Sequence, residues 1–169
     1  MNQLIRFTLI IFIISPIFNQ NILSLEYLGG DSLKVILTNQ DEISGFELQI
    51  DGIDILSASL GSSDQLNSFD VSTNTNQILG FSFTAGSISP GEYHLSTVYF
   101  DSEYENIAAP CFSTDSGNDG LPNCVISSPS GDSLALELGE CASGCFDNTA
   151  CNYLTNQDCI SPTIYYQDA

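Results

Sequence analysis

From residue 25 to about residue 140, apolar and polar side chains alternate with the period of two that half-buried strands require. Leu33, Val35 and Leu37 alternate with Lys34 and Thr38, while Ile36 adds an apolar group to the outer face. Phe46, Leu48 and Ile50 alternate with Glu47, Gln49 and Asp51, and Leu56, Ala58 and Leu60 with Ser57 and Ser59. The same rhythm returns in Leu79, Phe81 and Phe83 against Gly80, Ser82 and Thr84, and in Leu134, Leu136 and Leu138 against Ala135 and Glu137. The apolar set of each run is expected to face a core. Residues 93–100 also read as a strand, but the pattern does not say which side is inward.

Turn signals separate these runs: Gly29-Gly30-Asp31, Asn39-Gln40-Asp41, Asp51-Gly52, Gly61-Ser62-Ser63-Asp64, Pro90-Gly91 and Ser130-Gly131-Asp132. No stretch of a dozen residues carries a helical period. Many short strands at regular spacing without helices predict an all-β fold, an antiparallel jelly-roll-like β-sandwich. The composition shifts near Ala109-Pro110. Residues 111–124 (CFSTDSGNDGLPNC) read as a loop between cysteines, and residues 124–141 as a final hairpin returning to the sandwich. From Ala142 onward the chain is a small cysteine-rich tail, too short to build a core without cross-links.

The N-terminus has a different character. Arg6 precedes an apolar run over residues 7–18 that is broken by Pro16. A bilayer needs about 20 apolar residues, so this run predicts a signal peptide rather than a membrane span. Small Ser24 suggests cleavage there, with a retained anchor helix as the alternative. The expected organisation is therefore a signal peptide over residues 1–24, a sandwich over 25–141 and a tail over 142–169.

Charge narrows the function. Acidic residues number 21 against two basic ones, and the formal net charge is −19; loss of Arg6 with the signal makes it −20 and leaves Lys34 as the one basic side chain besides His94. No basic patch exists to neutralise phosphates, which argues against nucleic acid and anionic membrane surfaces as partners. Hydrophobic residues make up 43%, enough for a core, so this is not a disordered acidic tail.

All six cysteines, Cys111, Cys124, Cys141, Cys145, Cys151 and Cys159, lie in the last third of the chain. An even number in an exported chain, without a CxxC pair or histidine partners, points to disulfides rather than zinc. Fifteen pairings are possible; the preferred one joins Cys111 to Cys124, Cys145 to Cys159 and Cys141 to Cys151.

Two stretches resemble known families. The run ISGFELQIDG followed by LGSSDQLNSFDVSTNTNQILGFSFTAGSISPGEYHLSTVYF resembles the cohesin-like β-sandwich modules of secreted proteins, with its GFSF and SPG elements, over about residues 30–140. The resemblance implies a sandwich grouped with cohesins and certain carbohydrate-binding modules, whose work is binding: cohesins hold dockerins on one sheet face, and related modules hold polysaccharide. No contact residue of that family can be matched here, and the absence of tryptophan weakens the polysaccharide reading. Residues 144–159 (GCFDNTACNYLTNQDC) resemble a short repeat of large surface proteins from marine and Bacteroidetes-type bacteria. The match carries Gly144, Cys145, Asp147, Ala150, Cys151, Asn152, Tyr153 and Cys159, and departs where Asp158 stands directly before Cys159.

Candidate chemistry is sparse. Asp147, Asn152, Asn156 and Asp158 could offer oxygen ligands to calcium within a bridged loop, or could simply form turns. The run from Asp115 to Gly120 partly echoes a calcium loop but has Gly117 at a ligand position and Ile126 where the closing Glu belongs. Asp101, Glu103 and Glu105 would share one strand face, as a glycosidase pair, a metal site or a charged edge that blocks strand pairing. Gly131-Asp132-Ser133-Leu134-Ala135 misses the nucleophile-elbow pattern at its last position, and His94 reads as an ordinary strand residue. Tyr153, Tyr165 and Tyr166 read as packing over the disulfides or as an aromatic contact surface. The sum is a secreted, non-enzymatic binding or adhesion module with a protein or polysaccharide ligand, or a structural subunit that self-associates through an edge strand.

Overall fold

The computed structural model describes residues 20–101, 108–114, 122–147, 150 and 153–160. Ten strands form two facing sheets. The first runs in the order β10 (Leu136–Leu138), β1 (Asn21–Gly29), β2 (Ser32–Asn39), β7 (Gly91–Phe100) and β4 (Ile55–Leu60). The second runs β5 (Asp70–Thr73), β6 (Gln77–Phe81), β3 (Gly45–Asp51) and β8 (Cys111–Phe112), with β9 (Val125–Ser127) pairing the other half of β3. Apart from one 3₁₀ turn at Asp64–Leu66, no helix occurs among the described residues. None of the helices described is long and apolar enough to cross a membrane.

The alternation places the core in β2 and β3 as the sequence predicts. Leu33, Val35 and Leu37 meet Phe46, Leu48 and Ile50 across the sandwich, joined by Leu23, Leu95, Val98 and Phe100 from the first sheet and Ile78, Phe112 and Ile126 from the second. The β1–β2 hairpin turns through Gly29 and Gly30, at φ +97° and +64°, where a side chain would be strained.

Other expectations are overturned. In β4 Ala58 and Leu60 pack against the core as expected, but the strand's buried residue is Ile55, whereas Leu56 is 67% exposed. The pairing of β4 with β7 skips from Ile55 opposite Phe100 to Ser57 opposite Tyr99, so Leu56 is the extra residue of a bulge. In β6 the phase is also reversed: Ile78 is buried, and Leu79, Phe81 and Phe83 lie on the outside. Residues 124–141 turn back only briefly: Ser127 bridges to Ser133 and the Leu134 amide donates to the Ile126 carbonyl, but the hairpin does not continue. β9 stays on β3 while β10 crosses to the other sheet and pairs with β1 in parallel, with Asn21 opposite Leu136. The sandwich is therefore antiparallel except at this edge.

β1 itself begins upstream of the expected cut near Ser24. Leu23 is fully buried, and buried Asn21 donates from its amide to Asp41 Oδ2 and to the Ala135 carbonyl, both at 2.9 Å. Its side-chain oxygen accepts from the amides of Gln40 and Asp41. A chain starting at Leu25 would lose this clamp and all of the β1–β10 pairing.

The cysteines follow the preferred pairing in part. Cys145 is bonded to Cys159 as expected, but Cys111 is bonded to Cys141 instead of Cys124; Cys124 is a buried free thiol, and Cys151 lies outside the described residues. The physical reason is position on β3. Cys111, opposite Asp51, is part-exposed and meets the chain returning at Cys141, where the Ala142 amide donates to the Pro110 carbonyl. Cys124 leads into β9 with its sulfur turned inward to the carbonyls of Gln49 and Ser113, and burial pushes its thiol pKa up.

The tail is welded to the sandwich rather than hung from it. Ala142 and Cys145 are buried, and the Phe146 ring lies 4.7 Å from that of Tyr27. The Gly30 amide donates to the Leu154 carbonyl at 2.9 Å, and the Tyr27 hydroxyl donates to the Gly30 carbonyl at 2.9 Å. Gly144 has to be bare, because a Cβ there would come within 2.4 Å of the Tyr27 ring. Burial, followed by nearby Tyr153 and Asp31, pushes the Tyr27 pKa up to about 12.

Two outcomes check this fold. Ile55→Ala should cost about 2–5 kcal/mol in denaturant unfolding, whereas Leu56→Ala should stay within about 0.5 kcal/mol; the opposite ranking would refute the bulge. The native state holds the Tyr27 proton more tightly than the unfolded chain does. Its contribution is therefore complete below pH 10 and fades as pH rises through about 12. Melting curves of Tyr27→Phe and the parent should accordingly converge at alkaline pH.

Candidate functional site

The outer surface of the second sheet is built by a conflict of size. In β3, Phe46 points inward and its neighbour on β6 is Gly80. A Cβ at Gly80 would lie 2.0 Å from the Phe46 ring, so the ring occupies the space that a side chain would need. That contact fixes which side of β6 is inner: Ile78 and Gly80 face the core, and Leu79 and Phe81 face solvent. Past Phe81 the chain bends. The Ser82 hydroxyl accepts from the amides of Thr84 and Gly86, and Ala85 takes a left-handed conformation at φ +57°. The bend leaves Phe83 81% exposed, with its ring edge-on to Phe81 at 4.7 Å between centroids.

Leu79, 43% exposed, completes an apolar stripe along β6 and into the following loop. Carboxylates border it on both flanks. On one side Asp70 of β5 stands opposite Phe81, and on the other Glu47 of β3 stands opposite Leu79, where it accepts a hydrogen bond from the Gln77 amide. The only lysine among the described residues is elsewhere, in β2 of the other sheet, paired with Glu26 at 3.1 Å. Exposed aromatic and aliphatic groups ringed by charge form the kind of patch that marks a contact surface.

A shallow recess of about 270 Å³ opens in this face, lined by Gly45, Phe46, Glu47, Leu79, Gly80, Phe81, Val125 and Ser127. A larger one of about 450 Å³ lies at the β3–β4 turn, among Asp51, Gly52, Asp54, Thr75 and Asn76.

Of the residues expected to hold calcium, Asp147, Asn156 and Asp158 are exposed in the tail and Asn152 lies outside the described residues. No group of three His, Cys, Asp or Glu side chains placed to hold a metal ion occurs among those described. Asp101 is described and its amide donates to the Asp54 carbonyl, but Glu103 and Glu105 are outside. So is the run from Asp115 to Gly120, while Ile126 is fully buried in β9. Of the expected tail aromatics, Tyr153 is part-buried near Tyr27, and Tyr165 and Tyr166 lie outside the described residues. His94 sits in β7 with its Nε2 2.9 Å from the Thr97 hydroxyl, and Ser133 bridges to Ser127 beside the opposite sheet. Sequence reasoning missed the stripe because it assigned Leu79, Phe81 and Phe83 to the core. A glycine between two bulky residues was the available signal.

Gly80→Val should cost about 1–3 kcal/mol through overpacking against Phe46, while Phe83→Ser should change stability by no more than about 0.5 kcal/mol. Equal sensitivity in chemical denaturation would contradict the assigned phase of β6.

No protein-family model matches the chain, and no curated protein matches it in sequence. Among solved structures it is similar to a non-cellulosomal cohesin from the hyperthermophilic archaeon Archaeoglobus fulgidus, at 18% identity and a TM-score of 0.46, covering 70% of this chain and 86% of that one. It is also similar to the type II cohesin dyad from the adaptor ScaA scaffoldin of Acetivibrio cellulolyticus, at 10% identity and a TM-score of 0.44, covering 73% of this chain and 47% of that one.

Proposed function

We propose that this chain is a secreted, non-enzymatic binding module that recognises a protein partner through the outer face of the second sheet. The observation that carries the reading is the exposed stripe Leu79, Phe81 and Phe83 held outward by the Gly80–Phe46 contact. Exposed aromatics in a rigid sheet bring large contact area at little entropic cost, and such groups dominate binding energy at interfaces. Flanking Glu47 and Asp70, on a chain with net charge −19, favour a partner whose matching surface is apolar and rimmed by Lys or Arg. Disulfides at Cys111–Cys141 and Cys145–Cys159 support an oxidising compartment outside the cell.

The test compares proteins retained from the native secretome by the immobilised mature chain, by Leu79→Ser/Phe83→Ser, and by Leu28→Ser/Tyr99→Ser, which alters exposed residues of the first sheet. A genuine partner should lose about tenfold or more affinity for the first double variant and none for the second, with melting temperatures unchanged. Retention that is indifferent to Leu79 and Phe83 would refute the proposed face.

A further inference from the structure

We propose that the recess over Gly45 is a subsite for one cationic side chain, arginine or lysine, of the protein partner; this rests on the reading of the face as a binding surface. On the outer surface the row Phe81, Gly45, Ser127 runs across β6, β3 and β9, and the next row is Leu79, Glu47, Val125. The first row lacks its central side chain. Gly45 therefore leaves a slot of about 270 Å³ with Phe81 and Leu79 along one wall, Val125 and Ser127 along the other, and Glu47 beside it.

The chemistry of the walls selects the occupant. A purely apolar side chain would cover the apolar walls but strip water from the Glu47 carboxylate without replacing it. An acidic one would meet Glu47 and, across Phe81, Asp70. A long side chain with an aliphatic stem and a cationic head satisfies both parts: the stem lies against Leu79, Phe81 and Val125, and the head pairs with Glu47. The Phe81 ring adds a further attraction for the cation. The described residues offer this face no cation of their own, since Lys34 is engaged with Glu26 in the other sheet.

Backbone amide spectra of the mature chain, titrated with N-acetyl-arginine methylamide, its norleucine counterpart and its glutamate counterpart, test the assignment. The arginine probe should shift Gly45, Glu47 and Val125 saturably, the norleucine probe should bind about three- to fivefold more weakly, and the glutamate probe should leave these signals unmoved. Glu47→Gln, at an exposed position, should erase the preference for arginine over norleucine. Gly45→Val should block both probes; its Cβ would lie 2.9 Å from the Ser127 hydroxyl, the rotatable end of a side chain, and 3.6 Å from the Gly80 carbonyl. Equal binding of arginine and norleucine, no response to arginine, or a preference that survives Glu47→Gln would overturn the subsite. If partner retention still depends on Leu79 and Phe83 in that case, the subsite alone falls; if that dependence is also missing, the face falls with it.

Discussion

The contact between the Phe46 ring and the bare backbone of Gly80 governs both the interior and the exterior of this protein. Side chains in a strand alternate strictly, so a decision about one position decides every other position in that strand. Because the ring fills the space above Gly80, β6 presents Ile78 to the core and turns Leu79 and Phe81 outward. The same contact that packs the interior thus leaves Leu79 and Phe81 on the outer face.

Both outer surfaces of the sandwich mix polar and apolar groups. The first sheet faces outward with Ser24, Lys34, Ile36, Thr97 and Ser59 beside exposed Leu28 and Tyr99, and the salt bridge between Lys34 and Glu26 lies on it. The second faces outward with a hydrophobic stripe between rows carrying Asp70 and Glu47. The proposed contact surface is the second of these, where carboxylates would favour a matching surface rimmed by positive charge over one rimmed by negative charge.

The tail contributes to the fold rather than following it. Tyr27 receives Phe146 on its ring and donates its hydroxyl to Gly30, whose amide in turn binds the Leu154 carbonyl. The Cys111–Cys141 and Cys145–Cys159 disulfides add cross-links that restrict the unfolded chain in this region.

Alternation and turn residues were enough to establish the all-β class, the hairpin at Gly29-Gly30 and the inward sets of β2 and β3, because these depend on neighbours along the chain. What neighbours in sequence could not decide was phase in β4 and β6, where apolar residues occupy both parities. A bulge opposite Phe100 selected Ile55 over Leu56, and the Phe46 ring selected Ile78 over Leu79; both selectors come from other strands. The short-range Cys145–Cys159 pairing was expected from the chain, whereas the Cys111–Cys141 bond and the parallel β1–β10 edge belong to the same category as these phases. They depend on which segments meet in space, and only the folded arrangement of the two sheets brings Cys111 to Cys141 while leaving Cys124 inside.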